Sequence, residues 1–138
     1  MKETRGERNR NPGNLDRIPG MHWQGMNIDQ SGDPRFVVFD SPVWGIRALA
    51  KTLLTYYRKH DRDTVRKIVN RWAPPNENNT ESYVVHVAEL LNIGTDQAFA
   101  VDDERMLTIL TKAIIQHENG RVIYSDTTIA EGVRKALA

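Results

Sequence analysis

From Ser41 to the last residues of the chain, apolar side chains recur at three- and four-residue spacing between proline, glycine and capping residues. That pattern commits most of the sequence to amphipathic α-helices. Ser41-Pro42 is a helix start, since the hydroxyl accepts from an otherwise unpaired amide and proline at the first helical position sacrifices no hydrogen bond. Val43, Ile46, Leu49, Ala50, Leu53, Leu54 and Tyr57 then predict a helix to about His60, which places Trp44 in the core. Asp63 is the expected cap of a second helix with Val65, Ile68, Val69 and Trp72 inward. It must end before Pro74-Pro75, because proline excludes helical geometry in the residue ahead of it. A third helix begins near Thr80, presents Tyr83, Val84, Val87 and Leu91, and stops around Gly94, a residue suited to left-handed termination. Asp102 is the expected cap of a fourth, with Leu107, Leu110, Ala113 and Ile114 as its stripe and Gly120 as its end. Asp126 caps the last, whose Ile129, Val133 and Leu137 lie four residues apart.

Residues 1–33 read differently. They are rich in Asn, Gly, Pro and Arg, which predicts loops around short helical or extended pieces. The run Arg35-Phe36-Val37-Val38-Phe39 is β-rich, and pairing it with the region of Trp23 predicts a small β-hairpin. The expectation is a mainly α protein with one small β-hairpin, folded as a single domain over residues 1–138.

A chain of this length buries about two thirds of its unfolded surface in one core. With 39% hydrophobic and 27% charged residues, it lacks the one-sided composition of a disordered segment. There is no cysteine, so a disulfide framework, a thiolate nucleophile and thiolate zinc sites are all excluded. Lys2, Arg5, Arg8, Arg10 and Arg17 make the amino end basic, but a net charge of +1 gives no reason to expect a nucleic-acid partner. No apolar run approaches a signal core or a membrane span, so neither a signal peptide nor membrane insertion is expected.

The segment Ala113-Ile114-Ile115-Gln116-His117-Glu118-Asn119-Gly120 places a carboxyl in the last turn of an apolar helix. The negative end of the helix dipole and burial both disfavour the ionised form there, and a neutral carboxyl is what a glycosidic oxygen needs from a general acid. A solvent-facing Glu in a fraying last turn would show the same sequence.

Helices ending in apolar residues, Glu, a small polar residue and Gly resemble the catalytic helix of lytic transglycosylases, goose-type lysozymes and flagellar-type glucosaminidases. Asn11-Pro12-Gly13-Asn14-Leu15, Trp23-Gln24-Gly25 and Phe36-Val37-Val38-Phe39-Asp40-Ser41 are similar to cleft segments of the glucosaminidases, and Asn79-Thr80-Glu81-Ser82-Tyr83 to their tyrosine-bearing stretch. In that family the Glu helix comes first and here it comes nearly last, which a circularly permuted lysozyme-like domain would explain. The segments Arg5–Asn14, Arg71–Thr80 and His117–Gly120 resemble those of phage and prophage virion-associated lytic proteins.

The resemblance implies a lysozyme-like fold and a peptidoglycan hydrolase that cleaves glycan strands. It would be made in the host cytoplasm and carried to the periplasm or cell wall by a pore, a virus particle or lysis, with phage particle proteins as further partners. Two alternatives stay open: a non-catalytic virion or wall-binding protein, and a muralytic endopeptidase. Glu118 is the expected acid, with Tyr83 orienting substrate or stabilising charge, although a plain core tyrosine fits equally. Asn11, Asn14, Trp23, Trp72, Glu77, Thr80 and Asn119 are the candidate substrate contacts; turn chemistry, helix capping and core packing are the competing roles of several of them.

A second carboxylate would come from Asp40, Glu77 or Glu81, but a single-acid route assisted by the substrate's acetamido group needs none. His22, His60, His86 and His117 show no metal-binding spacing, and no Gly-x-Ser-x-Gly elbow occurs, so no metal or other cofactor is expected.

Overall fold

The computed structural model describes residues 2–75 and 79–138. Six helices occur among them: α1 (Arg5–Arg8), α2 (Pro42–His60), α3 (Val65–Trp72), α4 (Thr80–Leu91), α5 (Glu104–Asn119) and α6 (Asp126–Leu137). Helix α2 is the spine. Its Ile46, Leu49, Leu53 and Leu54 are buried in one cluster with Ile68 of α3, Val84 and Val87 of α4, Leu107, Leu110 and Ile114 of α5, and Ile129 and Val133 of α6. Full burial of each such Leu or Ile contributes about 1.5–3 kcal/mol. The contact of α2 with α6 is close because position 132 is glycine: a Cβ there would meet Ile46 Cγ2 at 2.6 Å.

The helix bodies follow the apolar spacing, and α2 starts at Pro42 and ends at His60 as expected. Several caps differ. Thr64, not Asp63, accepts from Lys67 N at the start of α3, while Asp63 pairs with Lys67 Nζ at 3.1 Å. Asp103 caps α5 in place of Asp102, and Ser125 caps α6 with Asp126 as its first residue. Ser41 precedes α2 without a side-chain cap bond. Helix α4 closes through Asn92 at φ 57°, ahead of Gly94. The short α1 is one of the helical pieces expected within residues 1–33. It is held by a capping box in which Thr4 Oγ1 accepts from Glu7 N and Glu7 Oε1 accepts from Thr4 N.

The β-hairpin expected over Arg35–Phe39 does not form. Among the described residues only two isolated antiparallel bridges occur, Asp16 with Phe36 and Met26 with Phe39. Side chains and loop backbone take the places a partner strand would fill. Gln30 both accepts from Val38 N and donates to Val38 O, Asn11 Nδ2 donates to Val37 O, and Phe39 N donates to Asn9 O. Every buried peptide group needs a partner, and here the partners come one at a time.

The amino-terminal segment thus wraps the end of α5 and one face of α2. Below it a second small cluster gathers Val37, Phe39 and Ala48 with Leu15, Trp23, Met26 and Trp44. Gly45 lets the wrap approach, since a Cβ at that position would overlap the Arg10 carbonyl oxygen.

Candidate functional site

Glu118 sits in the last turn of α5, one residue before the buried Asn119 and two before Gly120, whose φ of 74° ends the helix. Its side chain is half-buried, and Trp72, the last residue of α3, donates from Nε1 to Oε1 at 2.7 Å. Burial pushes the carboxyl above its ordinary range. Hydrogen bonds from Trp72 and from the Asn14 side chain pull the other way without cancelling it.

The three segments singled out in the sequence therefore meet at one carboxyl: Asn14 from the amino-terminal wrap, Trp72 from the end of α3, and Glu118 itself. The wrap is fixed in place by polar side chains. Asn11 is fully buried; its Nδ2 donates to Leu15 O at 3.0 Å and Val37 O at 2.9 Å, and its Oδ1 accepts from Leu15 N at 3.0 Å. Asn119 Nδ2 donates to Pro12 O at 2.9 Å and Ile115 O at 3.0 Å, while its Oδ1 accepts from Thr4 Oγ1 at 2.6 Å. Gly6 lies between them, because a Cβ there would come within 2.9 Å of Asn119 Oδ1, the Asn11 carbonyl and Asn14 Oδ1. Neither Asn11 nor Asn119 lines the groove beside Glu118, so the expectation that they contact substrate is corrected to a structural role.

That groove has a volume of about 320 Å³. Gly13, Asn14, Leu15 and Asp16 form one wall, Thr52 and Tyr56 of α2 the floor, Arg35 and Phe36 a flank, and Trp72 and Glu118 one end. A second hollow of about 300 Å³ shares Leu15, Asp16, Thr52 and Tyr56 with it and runs on past Thr55 to Ile18, Met21 and Trp23. The two make a continuous trough, with the acid near one end and exposed Ile18 and Met21 beside Trp23 at the other. Arg71 stands over the Tyr56 ring at 4.9 Å.

The flank is rigid because Asp33, itself buried, accepts from Arg5 Nε at 2.6 Å, Arg5 Nη2 at 2.8 Å, Asn9 Nδ2 at 2.8 Å, and the Arg35 and Phe36 amides at 2.8 Å. The Arg5 guanidinium and these other donors hold the Asp33 carboxyl far below the carboxylate range. Glu7, also buried, pairs with Arg121 Nη2 at 2.6 Å and is likewise shifted down.

Asn14, Trp23 and Trp72 lie on the trough, Trp72 with its indole N–H committed to Glu118. Tyr83 stands behind the acid: its ring stacks on His117 at 3.9 Å, and its buried hydroxyl has no partner among the described residues. Burial and the Glu118 charge hold that phenol well above its ordinary range. Thr80 is buried beside α3, donating from Oγ1 to Ala73 O at 2.9 Å, and does not line the trough. Glu77 lies outside the described residues.

Of the other carboxylates weighed, Asp40 accepts from Asn27 Nδ2 and Glu81 pairs with Arg66, both away from Glu118. Asp16 is the described carboxylate that shares the groove, paired with Arg35 Nε at 2.6 Å, and sequence reasoning missed it. It also missed Thr52 and Tyr56, whose four-residue spacing on a helix with a threonine between them was the available signal. His86 Nδ1 lies 2.8 Å from His117 Nε2. No group of three or more His, Asp or Glu able to hold a metal converges among the described residues.

No helix among the described residues is long and apolar enough to cross a membrane. No protein-family model matches the chain. Over 131 residues, 94% of its length, the chain is 38% identical to a protein named Protein P5 from Pseudoalteromonas phage PM2, of which it covers 79%.

Proposed function

The chain belongs to the same family as the phage Protein P5, and from the geometry around Glu118 we propose that it cleaves the glycan backbone of peptidoglycan by general acid catalysis, in the manner of a lysozyme or lytic transglycosylase. One observation carries the reading: Glu118 is a half-buried carboxyl, pushed toward its neutral form, facing a trough made of two adjoining hollows of about 320 and 300 Å³. A neutral acid in a cleft of this kind serves to protonate a leaving oxygen.

In the proposed step, Glu118 gives its proton to the bridging glycosidic oxygen while the bond from the anomeric carbon to that oxygen breaks. The bonding electron pair leaves with the oxygen, and the sugar left behind carries oxocarbenium character. The resulting Glu118 carboxylate then takes a proton from the attacking group. If that group is water, the product is a reducing end; if it is the sugar's own primary hydroxyl, the product is an anhydro sugar. Either way the proton count closes and the acid is regenerated. Asn14 and Trp72 orient the acid, and Tyr56, Asp16 and the Trp23 arm hold the strand. Delivery to the cell wall by a virus particle, a pore or lysis completes the reading.

The test is Glu118→Gln assayed for clearing of purified murein. The expected result is loss of clearing, with murein binding retained and a fold at least as stable as that of wild type. Clearing by the variant at the wild-type rate overturns the assignment, and mass spectrometry of wild-type fragments then distinguishes reducing, anhydro and peptide products.

A further inference from the structure

We infer that Trp72 is a positioning residue that fixes where the acidic proton of Glu118 sits. The inference rests on the general-acid reading of Glu118 above. An indole N–H donates and never accepts, so the 2.7 Å contact from Trp72 Nε1 forces Glu118 Oε1 to be the acceptor in both protonation states. The carbonyl oxygen of a neutral acid accepts far better than its hydroxyl, so the proton favours Oε2, the oxygen not bonded to the indole. Without the indole, the proton divides its time between two oxygens and the carboxyl is free to rotate.

The sequence offered Trp72 as a candidate substrate contact, but its position argues for this other task. It closes α3 and packs against the main core, and its ring limits Gly13, where a Cβ would stand 3.3 Å from Trp72 Cη2. Its polar atom is thus held by packing on one side and aimed at the carboxyl on the other. That is how a catalytic group is kept within a few tenths of an ångström of its working geometry.

The groups facing Glu118 are few. From α4 comes Tyr83, whose phenol stays neutral through the working range. From the loops come Asp16 and Arg35, paired with each other, and the uncharged Asn14, and from α2 comes Tyr56, whose phenol burial pushes up. On its own helix, His117 is shifted below its ordinary range by burial and by His86, so its titration is separated from that of Glu118 only by a variant lacking the carboxyl.

The experiment is a pH titration of the indole N–H resonances in 15N-labelled protein, with Glu118→Gln as control, alongside pH profiles of murein clearing for wild type and Trp72→Phe. The Trp72 resonance is expected to move as Glu118 ionises and to stay flat over that range in Glu118→Gln, with Trp23 and Trp44 unaffected in both. Trp72→Phe is expected to lower the maximal rate by about 10- to 100-fold, the scale of a misplaced catalytic group, with little change in apparent affinity for murein.

Its alkaline limb is expected to move to higher pH, because the lost hydrogen bond had favoured the ionised form. A wild-type protein that leaves murein intact rejects the enzymatic reading and this inference with it. An active wild type whose Trp72 indole stays flat, or a Trp72→Phe variant with an unmoved alkaline limb, rejects the inference alone. The titration uses the native chain, so it decides the matter even where Trp72→Phe fails to fold.

Discussion

Asn119→Ala separates a structural asparagine from a substrate-binding one. Asn119 adjoins the acid, and the sequence alone makes it a candidate substrate contact. In the structure its side chain instead ties three segments together, through Thr4 Oγ1 at 2.6 Å, Pro12 O at 2.9 Å and Ile115 O at 3.0 Å. The Ile115 carbonyl belongs to the helix and keeps its main-chain partner after truncation, and Thr4 still accepts from Glu7 N. The Pro12 carbonyl, at a buried residue, is stranded.

Two lost bonds at about 1 kcal/mol each and one unpaired buried acceptor at about 1–2 kcal/mol give a loss of roughly 3 kcal/mol. With an unfolding entropy of about 2.1 cal/mol/K per residue over 138 residues, that lowers the melting temperature by about 10 °C. Urea and thermal denaturation measure the loss, and murein clearing well below both transitions measures function. The expected variant is less stable yet binds and clears murein at near the wild-type rate. A melting temperature within about 2 °C of wild type, combined with weakened murein binding, would refute the structural role and restore the ligand contact.

Asp16→Asn is expected to clear murein within about tenfold of wild type, because acetamido assistance requires a single protein acid; a loss as deep as that of Glu118→Gln would establish a paired-carboxylate route through Asp16. Gly45→Ala is expected to destabilise the protein in urea by about 1–3 kcal/mol, since the clash with the Arg10 carbonyl outweighs the roughly 1 kcal/mol that alanine adds to a helix. A stabilised Gly45→Ala variant would show that the amino-terminal wrap does not press on α2.

Helix bodies were legible because burial of one face leaves a period in the sequence, and Pro42, Pro74-Pro75 and Gly120 marked their limits. The caps shifted by one residue where two competent side chains adjoin, as at Asp63-Thr64, Asp102-Asp103 and Ser125-Asp126: either satisfies the same amide, and the direction of chain entry chooses. Arg35–Phe39 has the composition of a strand, but its partners are Gln30, Asn11, Asn9 and Leu15, scattered through a loop with no period. Glu118 was legible because an acid at an apolar helix end conflicts with its surroundings. Asn11 and Asn119 were not, since an asparagine that binds backbone and one that binds an acetamido group use the same atoms.

Two sets of carboxyls are pushed in opposite directions, and together they set the pH range in which the protein can work. Asp33 and Glu7 are held below their ordinary range by Arg5 and Arg121, so the stability they contribute is present above the unfolded carboxylate pKa and is lost as pH falls through their folded values. Glu118 is raised by burial. Its contribution is intact below the ordinary carboxylate pKa and is lost as pH rises through the folded value, where the charge forms in a half-dry site.

On the proposed mechanism, the acid side of a clearing profile is expected to follow unfolding and the alkaline side loss of the proton. Asp33→Asn should lower stability at neutral pH and flatten the acid-side decline, seen by denaturation across pH. Glu118→Gln, whose amide oxygen still accepts from Trp72, should match wild type at low pH and become progressively more stable than it as pH rises. If the two denature alike at every pH, the charged form of Glu118 carries no penalty in the fold, and the trough has no neutral acid with which to begin the reaction.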